Sequence, residues 1–496
     1  MAKSLVCLCL SGKTLAEDVA IVKKYRNFID VVELRVDFLE QDERLRIREF
    51  PAMIDVPAIL TIRRKIDGGQ YVEGESARTM LYARGLAFAE EDPRKNFAYV
   101  DFEEDFHIPS LEDAAQAFGT RIIRSYHNMT EPVEDIEAKI AQLRQNSNEI
   151  PKIAFMPHRL SDVTKVFCDA AKWKDSEQII CAMGPLGLPT RILSERLNSY
   201  LTYTSPSELL GNLLEIGHTD PLTLENVYHF SSIDEKTKIF GITGYPLKIT
   251  SSPELQNRMF AENKLNAVYI PFKSETIEDA LEFAEKLNIQ GFSVTIPHKE
   301  TVIPIIRQID PTAEAIGACN TVVRDGEDWK GYNTDALGFK KALLEFTGFK
   351  DLKGKKVSII GAGGASRAIA YTIKELGAQA CVFNRTLAKA RLIAEKYGFE
   401  YATLGPENLE RLNKYSDVIV QTTSKGMGSN EPSNQDNDPI WFYDFSGNEF
   451  VYDVIYSPEV TPVMARADAS GCKVCNGASM LLYQGIAQFE LYKKRV

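Results

Sequence analysis

The run Lys356 to Thr386, KVSIIGAGGASRAIAYTIKELGAQACVFNRT, constrains the fold more than any other stretch of the chain. Val357 to Ile360 is a short run rich in β-branched residues and reads as a buried parallel strand. Gly361, Ala362, Gly363 and Gly364, followed by Ala365, make a turn whose small side chains let a ligand approach the backbone. A helical pattern then runs from about 365 to 375, with Gly377 placed to end it, and Ala380 to Phe383 reads as a second strand. A helix N-terminus behind a glycine turn offers free N–H groups and a positive dipole end, which suits a pyrophosphate. The flanking strands separate this pattern from an ordinary glycine turn, which is the alternative. NAD-type sites carry an acidic residue at the end of the second strand, for the ribose hydroxyl. Here Asn384, Arg385 and Thr386 stand there, with Lys389 one helical turn on. A guanidinium pairs with a 2′-phosphate and no carboxylate repels it, so the expected cofactor is NADP(H); a solvated surface arginine is the alternative.

A chain of 496 residues exceeds one hydrophobic core. A net charge of −11 argues against nucleic acid or an anionic membrane as partner. No apolar run has membrane-spanning length, and the six apolar residues Leu5 to Leu10 are too few for a secretory segment. Eight scattered cysteines fit reduced thiols and a cytoplasmic location. Cys472-x-x-Cys475 lacks a second pair and reads as structural; no metal is expected.

Residues 1 to about 205 repeat a strand–helix rhythm. The candidate strands are Leu5–Leu10, Val31–Leu39, Ala58–Arg63, Phe97–Glu103, Arg121–His127, Lys152–Pro157, Gln178–Met183 and Tyr200–Thr204. Eight such units predict a (β/α)8 barrel, with an open α/β sheet as the competitor. Several strands carry polar residues: Glu33, Arg35 and Asp37 in alternation, then Arg63, Asp101, Glu103, His127 and Lys152, with Met183 ending the seventh and Arg191 in the loop beyond. Charges aimed into a barrel are costly unless paired or functional. Together they outline a cavity with several cations and one histidine. A lysine among arginines in a dry pocket is expected to lose its proton easily and become a nucleophile. Condensed with a ketone, it lets a histidine remove the neighbouring proton, which equips the site to eliminate water from a hydroxyketone, with Arg191 free to clamp a carboxylate.

The phrases ELRVD (33–37), TIR (61–63), SYH (125–127), PKIAFMP (151–157) and MGPLGLPTR (183–191) resemble type I 3-dehydroquinate dehydratase. The resemblance implies that Lys152 forms the Schiff base and His127 is the general acid/base. It implies also that Glu33, Arg35 and Arg63 hold substrate hydroxyls, Arg191 the carboxylate, and that Met183 lines the pocket. Asp67 stands where the family has a longer glutamate partnering the histidine. The family's Ser-Ala-Pro-Gly-Gln loop is replaced by TSPSELLGN (204–212), without a glutamine; Ser205 and Ser207 are the candidates for its serine.

Turn formers and charges cluster over 206–236 and place a domain junction near 232–237, before a strand at Lys238–Thr243. Beyond it, Ser293, Thr295 and Pro297 mark a strand that ends in His298-Lys299, and Asn320, Asn333 and Asp335 sit in Gly-flanked turns. A lysine beside a carboxylate can supply the proton a ketone needs as it is reduced, so Lys299 is expected to be the acid/base and Asp335 its partner. GYPLKITSSP (244–253), GFSVTIPHK (291–299), GACNT (317–321), GYNTDALG (331–338), GAGGASRA (361–368), TTSKGM (422–427), DVIYSP (453–458) and GASMLLYQGIAQFE (477–490) resemble shikimate dehydrogenase. The resemblance implies that Thr250 and Ser252 bind a carboxylate, that Thr295, Asn320, Tyr456, Gln484 and Gln488 bind hydroxyls, and that Thr422 and Gly477 flank the cofactor. Ile249 stands where the family has a histidine.

The fold expected is α/β: an N-terminal (β/α)8 barrel (1–232), then a two-lobed α/β dehydrogenase. Its substrate domain is expected at 237–345 with 475–496, and its Rossmann-like NADP domain at 346–474. The function expected is bifunctional, in the shikimate pathway: 3-dehydroquinate is dehydrated to 3-dehydroshikimate, which NADPH reduces to shikimate. Fusion raises the local concentration of the shared intermediate. A monomer or weak homo-oligomer is expected.

Overall fold

Eight short parallel strands build the N-terminal half in the computed structural model, which describes residues 3–86, 92–212, 217–247 and 250–496. They are β1 (Leu5–Leu10), β2 (Val31–Arg35), β3 (Ala58–Thr61), β4 (Tyr99–Glu103), β5 (Arg121–Asn128), β6 (Glu149–Phe155), β7 (Ile179–Ala182) and β8 (Leu201–Thr204). Their order is β7-β6-β5-β4-β3-β2-β1-β8, and the parallel bridge Gln178↔Ser199 brings the two ends together into a nearly closed barrel. Side chains alternate along a strand, so one set of each strand faces the interior. Cys7, Val31, Ile59, Tyr99, Ile123, Ile150, Ile179 and Leu201 pack there as an apolar layer. Two residues further along the same strands come Glu33, Thr61, Asp101, Ser125 and Lys152. The apolar layer thus supports a polar one at the C-terminal end of the strands, the face on which barrels of this kind carry their chemistry.

Three local expectations are corrected. The second strand ends at Arg35, and Val36–Phe38 is a 3-10 turn, so Asp37 leaves the strand alternation. It turns back to receive Arg35 Nε and Nη2 at 2.9 and 2.8 Å, and the Gln70 N–H at 2.9 Å. Lys152 lies inside β6, paired with Ser125 and Ile179 on its two sides, rather than opening it. Arg191 lies in the helix Leu188–Ile192, not in a loop.

The chain divides into two compact units, Met1–Ile289 and Gln290–Val496. The first carries, after the barrel, the parallel pair β9 (Lys238–Thr243) and β10 (Ala267–Pro271) and the helix Ser252–Glu262. In the second, β11 (Gly291–Val294), β13 (Thr321–Asp325) and β14 (Asp328–Tyr332) pair antiparallel in turn, and β12 (Gln308–Ile309) joins β14 in parallel. A six-stranded parallel sheet follows: β15 (Lys356–Ile360), β16 (Gln379–Asn384), β17 (Glu400–Thr403), β18 (Val418–Gln421), β19 (Phe450–Asp453) and β20 (Lys473–Cys475), in the order β17-β16-β15-β18-β19-β20. Its strands are nearly continuous apolar runs because helices cover them. Val357, Ile359, Val418 and Val420 pack with Phe339 and Leu343 of the helix Asp335–Thr347 and Ile369 and Ile373 of the helix Gly364–Glu375. The last helix, Ala478–Tyr492, lies along Asp335–Thr347. No helix among the described residues is long and apolar enough to cross a membrane.

Candidate active sites

In the barrel the polar layer is one connected network. Lys152 Nζ donates to Asp101 Oδ2 at 3.0 Å and lies 3.5 Å from Glu33 Oε1. Arg63 Nη2 stands 2.7 Å from the same Asp101 oxygen, and its Nη1 donates to Glu103 Oε1 at 2.8 Å and to Ser125 Oγ at 3.0 Å. Ser125 Oγ donates to Asp101 Oδ1 at 2.5 Å, and Thr61 Oγ1 donates to Glu33 Oε1 at 3.0 Å. Parallel register makes this possible, since Thr61 and Asp101 are paired neighbours, as are Ser125 and Lys152. Every charge is answered, which is the condition for burying them. Arg35, Arg63, His127, Lys152, Met183 and Arg191 line one cavity of about 60 Å³, with Glu33 and Asp67 also on its wall.

The electrostatics correct one expectation and agree with the requirement for another. Burial works to lower the pKa of Lys152, but Asp101 and Glu33 outweigh it and hold the ammonium above its ordinary range. Lys152 is therefore stored charged, not as the free base that its arginine neighbours suggested. Burial works to raise Asp101, yet Arg63 and Lys152 hold it below the usual carboxylate range. His127 is pushed well below its usual pKa by burial, then by Arg63 and Lys152, so its imidazole is neutral and can accept a proton. Its Nδ1 is buried with no hydrogen-bond partner. Asp67 does not fill that place: it accepts from Arg64 Nε at 2.6 Å. The shorter carboxylate is captured by the arginine three residues before it.

The second unit brings Lys299 and Asp335 together at 2.6 Å. The strand expected to end in His298-Lys299 stops at Val294, and Lys299 stands instead in the helical turn His298–Thr301, where its carbonyl accepts the Cys319 N–H at 2.7 Å. Asp335 is the first residue of its helix, where the dipole favours a carboxylate. Asn320 Nδ2 donates to Asp335 Oδ1 at 2.8 Å and to Thr334 Oγ1 at 2.9 Å, while its own Oδ1 accepts the Thr334 N–H at 2.8 Å. Thr334 Oγ1 and Asn320 Nδ2 both reach Gln484 Oε1, at 3.4 and 3.5 Å, and Gln488 Nε2 donates to Thr321 Oγ1 at 3.0 Å. Thr295 is half-buried at the end of β11, and Tyr456 is exposed. The loop carrying Tyr456 is held by Asp453, whose Oδ1 accepts the Ile455 N–H at 2.9 Å and whose Oδ2 accepts Thr461 Oγ1 at 2.7 Å. Gly477 opens the last helix and donates its N–H to Ile455 O at 3.0 Å. Thr250 and Ser252 belong to the first unit, where Thr250 Oγ1 donates to Ser252 Oγ at 3.1 Å. Ile249 lies outside the described residues.

The nucleotide turn fits a pyrophosphate. Gly361 has φ +114°, and a Cβ there would meet Thr422 Oγ1 at 2.5 Å, so glycine is needed between turn and floor. Thr422 Oγ1 donates to Ile360 O at 2.8 Å and meets Ser366 Oγ at 2.7 Å, locking that floor. Nothing lies within 4 Å of a Cβ built on Gly363, so the backbone between Ala362 and Ala365 is open at the start of a twelve-residue helix. Asn384 Nδ2 donates to Thr386 O at 2.9 Å, and Arg385, Thr386 and Lys389 are exposed beyond it. The Lys299 side chain comes within 3.9 Å of a Cβ built on Gly364, so the proposed proton donor adjoins the turn.

Three contributors escaped the sequence reading of the sites. Asp101 was visible as a charge inside a strand, but nothing local shows that it joins Lys152 to Arg63. Thr334 precedes Asp335 and needed the Asn320 contact to be noticed. His218, beyond the altered loop, lines the barrel cavity.

Residues 6–235 match the family described as type I 3-dehydroquinase, residues 242–322 the shikimate dehydrogenase substrate binding domain, and residues 344–430 shikimate / quinate 5-dehydrogenase. The bifunctional 3-dehydroquinate dehydratase/shikimate dehydrogenase of Arabidopsis thaliana, a chloroplastic protein, is 30% identical over 514 residues, covering 99% of this chain and 82% of its own length. The NADP(+) shikimate dehydrogenase of Caldanaerobacter subterraneus is 38% identical over 269 residues, 52% of this chain and 93% of that one. The crystal structure of shikimate dehydrogenase from Aquifex aeolicus aligns at 34% identity with TM-score 0.47, covering 53% of this chain and 96% of that one.

Proposed function

The chain belongs to the bifunctional 3-dehydroquinate dehydratase/shikimate dehydrogenase family, and from that premise we propose which residues carry each reaction. The enzyme dehydrates 3-dehydroquinate to 3-dehydroshikimate and reduces 3-dehydroshikimate to shikimate with NADP(H) as cofactor.

In the barrel, Arg191 receives the substrate carboxylate and Glu33, Arg35 and Arg63 the hydroxyls, with Met183 against the ring. The ion pairs that store Lys152 as an ammonium loosen as the ketone arrives, and the freed amine condenses with it, expelling water. The cationic imine acidifies the neighbouring C–H. His127, neutral through burial, takes that proton and returns one to the departing hydroxyl, which leaves as water; a further water then hydrolyses the imine, breaking the bond to Lys152 and releasing 3-dehydroshikimate. Asp67, paired with Arg64, acts on the histidine's side of the cavity without bonding its ring. The observation that carries this reading is Lys152 and neutral His127 on the wall of one cavity, with Asp101 and Glu33 controlling the amine's charge.

In the second half, Gly361 to Ala365 receive the pyrophosphate of the cofactor. Asn384, Arg385, Thr386 and Lys389 receive its adenosine ribose and 2′-phosphate, and Thr422 and Gly477 flank it. NADPH, when bound, supplies the hydride. Lys299, held and aimed by Asp335, gives a proton to the carbonyl oxygen. Thr250 and Ser252 receive the carboxylate, and Thr295, Asn320, Tyr456, Gln484 and Gln488 the hydroxyls. The division into a barrel (1–232), a substrate domain (237–345 with 475–496) and an NADP domain (346–474) is supported by the three matched segments. A cytoplasmic location is supported by eight free cysteines, and fractionation of the native cell tests it. Monomer or weak homo-oligomer is the state proposed, and sedimentation across a concentration series tests it.

The test of the barrel reading is borohydride reduction in the presence of 3-dehydroquinate, then mass spectrometry. A reduced adduct on the peptide holding Lys152 is expected. Dehydration proceeding with no adduct there would overturn the assignment.

A further inference from the structure

Four contacts converge on the turn Gly217 to Thr219, which follows the last barrel strand and has no role in the chemistry above. Ser205, next after β8, donates its N–H to Thr219 O at 3.1 Å, and its hydroxyl meets His218 Nδ1 at 2.6 Å. The His218 ring stacks on Tyr203, the planes 15° apart and the centroids 6.4 Å apart. Gly217 has φ +75°, and a Cβ on it would fall 2.3 Å from Gly184 O, immediately after Met183. A side chain has no room there, so the glycine keys the turn to the end of β7 while Ser205 keys it to the end of β8. The Tyr203 ring that carries His218 also has Lys152 Nζ 4.2 Å from its centroid. His218 therefore lines the cavity of Lys152 and Arg191 from a turn bonded to Ser205 and packed closely on Gly184.

We propose that His218 is a substrate-binding residue of the barrel site, donating a hydrogen bond through Nε2 to the anionic end of the hydroxy-keto acid beside Arg191. The proposal rests on the dehydratase reading of this cavity, which the borohydride experiment tests separately. When the Ser205 hydroxyl donates to Nδ1, the neutral ring carries its own proton on Nε2. The charged groups acting on the ring are all cations, Arg191 from the helix Leu188–Ile192, Arg35 from β2 and Lys152 from β6. Burial and then these three hold the imidazole well below its usual pKa. A substrate carboxylate set against Arg191 cancels the largest of the three, so the ring binds a proton more tightly in the complex than in the free enzyme. Affinity then increases as pH falls through the pKa of the complex and levels off below that of the free enzyme. Substrate binding is thus coupled to proton uptake, which a side-chain amide at this position could not provide.

The experiment uses the full-length enzyme with His218→Ala and His218→Gln, assaying both activities with 3-dehydroquinate and with 3-dehydroshikimate. In His218→Ala the dehydratase KM is expected to rise about tenfold, the loss of roughly one charge-assisted hydrogen bond. The kcat changes less, the Lys152 adduct still forms at high substrate, and shikimate dehydrogenation is unaffected. In His218→Gln, which keeps a donor, the KM is expected to recover partly and to lose the decrease toward acid pH expected of the parent as pH falls through the pKa of the ring in the complex. An unchanged KM in His218→Ala overturns the proposal. If that variant fails to fold, His218→Gln decides: a KM that keeps the parent's pH dependence overturns it equally. Loss of the Lys152 adduct in the parent would instead remove the dehydratase reading beneath it.

Discussion

Lys152 and Lys299 are both amines held against carboxylates, yet the two regions house them differently. Lys152 is 5% exposed and belongs to a web of charges contributed by β2, β4 and β6 and by Arg63 just beyond β3. Lys299 has one carboxylate at 2.6 Å and a side chain 18% exposed, with amides rather than ions around the pair. The difference fits the roles proposed for the two amines. A nucleophile must pass between charged and neutral forms, so it needs a dry site where the balance is set by several neighbours. A proton donor needs only to stay charged and aimed, and one partner suffices.

The largest expected effect separates the two outright. Lys152→Ala should lower dehydration at least about a thousandfold and leave reduction of 3-dehydroshikimate intact, and Lys299→Ala should do the converse. Separate steady-state assays of each half-reaction check this; one substitution impairing both halves would break the comparison.

A pair of carboxylate substitutions sharpens it. Asp101→Asn leaves Arg63 with less compensation in the barrel and should cost about 3 kcal/mol of stability. Asp335→Asn, in a wetter and amide-rich setting, should cost about 1 kcal/mol while slowing reduction roughly a hundredfold. Denaturant melts and initial rates give both numbers. Because Asp101 raises the pKa of Lys152, removing it lowers that pKa, and the rise of dehydratase kcat/KM with pH should move to lower pH. A shift the other way would contradict the account of how the amine is stored.

Arg385→Ser should raise the KM for NADPH by about ten- to a hundredfold and leave that for NADH nearly unchanged. The smallest effect is on stability. Burial pushes the Asp453 carboxyl up to about 7, so the folded chain holds a proton that the unfolded one releases near the ordinary carboxylate pKa. This contribution to stability is present at acid pH, falls as pH rises through about 7 and is lost above it. Asp453→Asn keeps an acceptor for the Ile455 N–H and should flatten that dependence, by on the order of 2 kcal/mol in melts between about pH 4 and 8.

Much of this was legible in the chain because strand and turn signals are local. Lys238–Thr243 and Leu5–Leu10 stand as read, and the nucleotide turn sits between the two strands assigned to it. Val31–Leu39 ran too long because Asp37 alternates correctly with Glu33 and Arg35; only its bidentate contact with Arg35 shows why the backbone turns away. Asp67 looked like a histidine partner by position, but its side chain is shorter and Arg64 reaches it first. His218 carried no signal at all, since thirteen residues separate it from the serine that holds it.

The order of apolar and polar residues determined by itself that there would be a barrel with charges at one end, and a glycine turn with an arginine past the strand that follows it. Those are properties of neighbours along the chain, fixed by a two-residue strand period and by a missing Cβ. Whether Lys152 rests as an amine or an ammonium was decided only when folding set Asp101 at 3.0 Å and Glu33 at 3.5 Å from its nitrogen. Burial and ion pairing act on that nitrogen in opposite directions, and the winner depends on distances through space that no spacing along the chain contains.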